Sequence, residues 1–262
     1  MNIKPERQTS RAAGWSRRTG SFSAVLLVTV WVGHHFGLVE TPAFLWVLGV
    51  VALLAALALL FAGFAFSRLW NFGDRGGRDL TFGALMALLV LAPYGVAAYW
   101  TLSYPPLKDV STDLDDLPVL AGATQRTPDM NALAPLTPGE RRMQEESYPQ
   151  VAGRRYDLPF DGVVDAIETV LDRRGWQLTG PLPEVDGQGQ ITIDAVAASF
   201  VLGLPADVAV RAAQDGDSTF VDMRSASRYG RQDLGDNAAR IIAFLAELDQ
   251  EIAGKMGTAP AQ

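Results

Sequence analysis

Four arginines late in this 262-residue chain, Arg211, Arg224, Arg228 and Arg231, carry its clearest chemical pattern, together with Ser225, Ser227 and Asn237. A guanidinium presents a planar fork of donors that matches carboxylate and phosphate, and hydroxyls or amides can complete such a site. Arg224, Arg228 and Arg231 run toward a helix predicted to begin near Asp236, where free backbone N–H groups favour an anion. A small anionic ligand held by these seven residues is one reading. The other is a cross-strand ion ladder on a solvated sheet face, pairing Arg211 with Asp222 or Asp194 with Arg224, while Asp233 and Asp236 cap the helix.

Other constellations offer less. The run from Asp109 to Asp116 holds four aspartates in eight residues, which raises calcium. An EF-hand loop begun at Asp109 needs Gly and Glu where Leu114 and Leu120 stand, so a solvated acidic turn competes with a metal loop. Both histidines, His34 and His35, lie in an apolar run and there is no Cys, so no catalytic residue, metal site or cofactor is assigned. A Ser nucleophile could call only on Lys108, Lys255 or a carboxylate. Paired carboxylates at hydrolase spacing remain open. No phosphate-binding loop is present, because Gly230 to Gly235 lacks the following Lys.

The elements that position these residues read as α+β. Asp161 opens a helix with Val163, Val164, Ile167, Val170 and Leu171 on one stripe and Gly175 as its stop. Strand-like runs follow at 176–179, 191–198, 207–213 and 219–228, broken at Asp186-Gly187 and Asp215-Gly216. A last helix presents Ala238, Ile241, Ile242, Leu245, Leu248 and Ile252. Alternation in the strands predicts an antiparallel sheet of about four strands with two helices on one face, over 161–255. Eight of the fifteen prolines fall between 104 and 160. Their density predicts an extended linker that wraps the domain or spaces it from a membrane, and 256–262 reads as a tail.

Residues 1–101 hold 12 charged side chains and residues 102–262 hold 39. Three charge-free runs, at 19–39, 41–67 and 80–107, are each long enough to cross a bilayer of about 30 Å. They predict a three-helix transmembrane bundle with spans at about 21–39, 43–66 and 82–101. A signal peptide is the rival for the first run, but no small-x-small cleavage site follows it. Lys4, Arg7, Arg11, Arg17 and Arg18 precede the first span, and Arg68, Arg75 and Arg78 lie between the second and third. The turn between the first two has no Lys or Arg. By the positive-inside rule, residues 1–20 are a cytoplasmic basic tail and everything after Thr101 is exported, to the periplasm if the membrane is a bacterial inner membrane. The exported part carries 14 basic and 25 acidic residues, a net charge of 14 − 25 = −11, which disfavours nucleic acid.

The stretch Val221-Asp-Met-Arg-Ser-Ala-Ser-Arg-Tyr-Gly-Arg-Gln-Asp-Leu-Gly-Asp-Asn-Ala-Ala-Arg-Ile241, with Phe244-Leu245 after it, resembles the domain of unknown function 1499 family. Further matches are Ser111-Thr-Asp-Leu-Asp-Asp116, Gly175-Trp176 and Asp207-Val208, so the resemblance covers about residues 109–250. The family's proline pair after the acidic segment is Leu117-Pro118 here, and its threonine and arginine before the central loop are replaced around Ala198-Ser199. The resemblance implies bacterial or plastid relatives, some with membrane helices, and supplies no activity to transfer. Arg224, Ser225, Ser227, Arg228, Gly230, Asp233, Gly235, Asn237 and Arg240 are its motif positions. Together these observations predict an inner-membrane protein whose periplasmic domain binds an envelope protein or a small anionic ligand without catalysis. The competing expectation is a carboxylate-dependent hydrolase of an envelope polymer.

Overall fold

The computed structural model describes residues 8–258 apart from 182, 184, 188 and 200, so the outermost parts of both expected tails lie outside the described residues. The chain forms two compact units, Met1–Tyr99 and Trp100–Gln262. The first holds three helices: α1 (Arg11–His35), α2 (Thr41–Phe72) and most of α3 (Gly77–Ser103). Of these, α2 and α3 are long and apolar enough to cross a membrane. Helices α2 and α3 contain the spans expected at 43–66 and 82–101, whereas α1 ends at His35, short of the expected 39, and takes in Arg11, Arg17 and Arg18, so residues 11–20 of the predicted cytoplasmic tail are helical.

Small residues let the first unit pack closely. A Cβ at Gly20 would lie 2.7 Å from the Gly83 carbonyl oxygen, so α1 and α3 meet where neither has a side chain. Ser16 Oγ donates to the Ala58 carbonyl at 2.9 Å, and the Tyr94 hydroxyl to that of Leu48 at 2.8 Å. Val51, Ala55 and Ala58 of α2 bury against Ala87 and Val90 of α3. His34 stacks on Phe44 with 4.3 Å between ring centroids, and its Nδ1 lies 3.0 Å from the Val39 carbonyl oxygen.

The second unit is a six-stranded antiparallel sheet where about four strands were expected. Strands β3 (Gln177–Leu178), β4 (Gln190–Ala198), β5 (Pro205–Asp215) and β6 (Ser218–Ser227) fall on the four predicted runs. Two more, β1 (Asp109–Ser111) and β2 (Arg154–Tyr156), lie within the supposed linker and share the outer edge of β6, giving the order β1-β6-β5-β4-β3 with β2 beside β1. The linker expectation is therefore corrected: residues 104–160 belong to the domain. Three-residue strands are too short to leave a period-2 pattern, and proline is tolerated where they sit, at a sheet edge. The same stretch contains α4 (Pro138–Ser147), opened by Pro138 at its first turn and by a capping box between Thr137 and Glu140.

Helices α5 (Phe160–Arg174) and α6 (Asp236–Thr258) contribute to the same core, against one face of the sheet. The expected stripe of α5 is buried except for half-buried Val164, and Gly175 ends it at φ +63°. Ile241, Phe244, Leu245, Leu248 and Ile252 of α6 are fully buried. Each such side chain stabilises the domain by about 1.5–3 kcal/mol. Across the sheet they meet Ile191, Ile193, Val208, Val210, Val221 and Met223, the alternate residues predicted to face the helices.

Candidate functional site

The face of the sheet away from α5 and α6 is largely covered along β5 and β6 and half-buried along β4. Residues 112–136 lie over it, and Leu120 and Leu133 pack there against Ala209 and Ala226. Under that cover Arg211 and Arg224 are buried, with Asp207, Asp222 and Asp109. The sequence leaves these arginines as either an anion site or a cross-strand ion ladder; both buried ones have carboxylate partners from this chain. Arg224 donates from Nε and Nη2 to Asp109 at 3.0 and 2.7 Å, and from Nη1 to the Pro118 carbonyl. Arg211 bonds Asp116 at 2.7 Å, Asp113 at 2.9 Å and Asp222 at 3.0 Å. Arg228 places Nε and Nη2 on Asp207 Oδ1, while Arg126 takes Oδ2 at 2.8 Å. A Cβ on Gly122 would come within 2.9 Å of that Asp207 oxygen, so the chain passes over this double clamp only as glycine.

The register explains why the seven predicted residues do not converge. Arg211 faces Asp222 across β5 and β6, as one ladder pairing required. Asp194 does not reach Arg224; it accepts from the Ala121 N–H at 2.8 Å. Ser225 falls on the opposite face, where its hydroxyl donates to Asn237 Oδ1 and accepts from Arg240. Asn237 in turn donates to Ser227 and to the Lys108 carbonyl. Arg231 is exposed beyond β6. Asp233 caps α6 by accepting from the Gly235 and Asn237 N–H groups, whereas Asp236 pairs with Arg240. Burial pushes the Asp233 carboxyl above the usual range in spite of those two amides.

Four of the polar residues that build this layer, Asp109, Asp113, Asp116 and Arg126, carry no mark of it in the local sequence. Their only signal is complementarity between a run of aspartates and a distant run of arginines. The acidic run does not converge on a common point: Asp109, Asp113 and Asp116 serve two different arginines, and Asp115 bonds Arg141. Among the described residues no group of three or more His, Cys, Asp or Glu is arranged to hold a metal ion.

An open cleft of about 500 Å³ lies at the outer edge of β6. Its position follows from the pairing: β1 ends opposite Arg224 and β2 begins opposite Val221, leaving Asp222 and Met223 between them. Thr112 satisfies the Met223 backbone on both sides, and a Cβ on Gly153 would strike Phe220 and Asp222. One side of the cleft is Thr112, Asp113, Leu114 and Asp115; another is Gln144, Glu145, Tyr148, Pro149 and Val151; Phe220 and Asp222 come from β6. Gln144 closes the edge above it, its amide donating to and accepting from the Ser111 backbone as a neighbouring strand would. Among the described residues, four carboxylates and no Lys, Arg or His line the cleft. Burial pushes Asp222 above the usual carboxylate range against the opposing hydrogen bonds of Arg211 and Thr112. At Asp113 the upward push of burial is outweighed by the Asp116 and Asp115 N–H groups and by Arg211, so its carboxyl is held low. Burial, with Asp233 and Tyr104 nearby, pushes the Tyr148 phenol up to about 12.

No curated protein matches this chain. Among solved structures, the crystal structure of CalU16 from Micromonospora echinospora is similar at 22% identity, over 40% of this chain and 75% of that one, with a TM-score of 0.27. Residues 109–248 match the family described as Protein of unknown function (DUF1499). That match begins at the first residue of β1, ends inside α6 and takes in more than half of the chain, which therefore belongs to the DUF1499 family.

Proposed function

We propose that this chain is an integral protein of a bacterial inner membrane that presents its α+β domain in the periplasm as a binding module, and that the cleft beside β6 is the binding site. Two membrane-capable helices and the charge-free run at 19–39, of which 19–35 lies in α1, support three spans. The eight basic residues before the first span and between the second and third support a cytoplasmic N-terminus. The observation that carries the binding reading is the cleft itself, whose volume falls in the range of small-molecule sites. Its lining selects the ligand class. Among the described residues, Asp113, Asp115, Glu145 and Asp222 line the cleft with the aromatic side chains of Phe220 and Tyr148. Asp113 and Asp222 are bonded to Arg211 and Asp115 to Arg141, so Glu145 is the carboxylate outside those ion pairs, and the lining suits an amine or guanidinium carried on an apolar body. Of the arginines behind the anion reading, Arg211, Arg224 and Arg228 hold carboxylates of this chain and Arg231 is exposed.

Thermal denaturation of the full chain in nanodiscs tests this with two probes of matched shape, benzylamine and benzoate. Saturable stabilisation by benzylamine alone is the expected result. Stabilisation by benzoate, or by neither probe, would overturn it.

One observation favours the hydrolase as a second reading. Asp222 is pushed up and Asp113 held down in the same cleft, a separation that suits acid and base roles. Release of soluble fragments from an envelope polymer by the full chain, lost in Asp222→Asn and Asp113→Asn, would establish that reading; absence of turnover removes it.

A further inference from the structure

The cover over the sheet is held in two ways. From Pro118 onward it is anchored by buried groups: the Pro118 carbonyl on Arg224, Leu120 in its apolar contact, and Arg126 on Asp207, whose side chains are 6% and 3% exposed. Before it, Thr112 is tied to the Met223 backbone and to Asp222. Between these anchors, among the described residues, the segment 113–117 makes no backbone hydrogen bond to the sheet. Its attachments are the Ser111 hydroxyl on the Asp113 carbonyl and three ion pairs: Asp113 and Asp116 on Arg211, and Asp115 on Arg141 of α4.

Two of those pairs differ from the rest of the layer in exposure, while Asp113 and Arg211 are 29% and 8% exposed. The side chains of Asp115 and Asp116 are 99% and 82% exposed, whereas Asp109 and Arg224 are 10% and 9%. Salt screens exposed pairs and leaves buried ones nearly untouched. Two further features make release of this segment inexpensive. Arg211 keeps Asp222 when Asp113 and Asp116 leave, so no buried charge is stranded. The segment also carries its own turn, with the Asp115 and Asp116 N–H groups both on Asp113 Oδ1.

Asp113, Leu114 and Asp115 form a side of the cleft, and the Asp115 to Arg141 bond ties that side to α4. We propose that residues 113–117 are a lid on the cleft, hinged at Thr112 and Pro118 and latched by Arg141 and Arg211, and that an entering cation opens it by competing with Arg141 for Asp115. The inference rests on the reading of the cleft as a binding site, and its test is chosen to separate the two.

Hydroxyl-radical footprinting of the ligand-free full chain in nanodiscs reads side-chain access directly. Raising salt from about 0.1 M to about 1 M shortens the screening length from about 10 Å to about 3 Å. Modification of Leu114, Leu117 and Phe220 then increases about threefold, as expected for the loss of a few exposed ion pairs, while Phe244 and Tyr156 do not change. Arg141→Gln produces the same increase at low salt, and benzylamine does so in the wild type. Unchanged modification in high salt and in Arg141→Gln overturns the lid, whatever benzylamine does. An increase shared by Phe244 overturns it too, since that is general loosening. Opening by salt and by Arg141→Gln, with no effect of benzylamine, supports the latch and counts against the cation as the ligand.

Discussion

Asp109 and Asp116 stand in one acidic run, yet their environments assign them different weights. Among the described residues Asp109 is the sole carboxylate on Arg224, and both are buried. Asp109→Asn leaves a buried guanidinium uncompensated and destabilises the domain by about 3–5 kcal/mol in chemical denaturation. Asp116→Asn costs less than about 1 kcal/mol, because its carboxylate is exposed and Arg211 retains Asp113 and Asp222. The pH response follows from the buried acids. Asp194, Asp222 and Asp233 have folded pKa values raised above their unfolded ones, in each case chiefly by burial. The folded state therefore binds their protons more tightly. Stability grows as pH falls from 7 through those raised values, and the gain is complete below the ordinary Asp value of about 4. Asp113 acts in the opposite sense: its contribution is present above that value and lost as pH falls through its lowered one. Melting temperatures from pH 7 to pH 4 rise in the wild type and rise less in Asp233→Asn. At this scale the sequence made the Arg211–Asp222 rung and the Asp233 cap legible, since both follow from alternation and helix-start chemistry. It hid the Arg224 to Asp109 pair, whose members are 115 residues apart.

Element by element, legibility tracked length. Helices α5 and α6 and strands β4, β5 and β6 span 9 to 23 residues each, enough for a period of 3.6 or 2 to show. Strands β1 and β2 have three residues each and were invisible, so a segment that completes the sheet read as a linker. The capping box at Thr137 to Glu140 was a readable signal of α4, masked by the surrounding prolines. That helix matters because Gln144 supplies the partners of the Ser111 backbone at the sheet edge. Gln144→Ala leaves a buried N–H and C=O unsatisfied and lowers stability by about 1–3 kcal/mol, measurable by denaturant midpoint; a change below about 0.5 kcal/mol would mean that water replaces the amide.

For the whole molecule, the division of charge between the two halves of the chain remains the strongest argument about placement. A periplasm-dependent reporter fused after Gln262 is active and a cytoplasmic one silent if the chain has three spans with its N-terminus inside; the reverse pattern removes that topology. Arg211, Arg224 and Arg228 join the sheet to its cover, and the binding site we propose is the acidic cleft at the β6 edge. Isothermal titration of the full chain with benzylamine and benzoate, in the wild type and in the double variant Asp115→Lys plus Glu145→Lys, tests that most directly. The wild type takes up the amine and not the carboxylate, and the double variant reverses the preference. Equal binding of either probe in both proteins would contradict it.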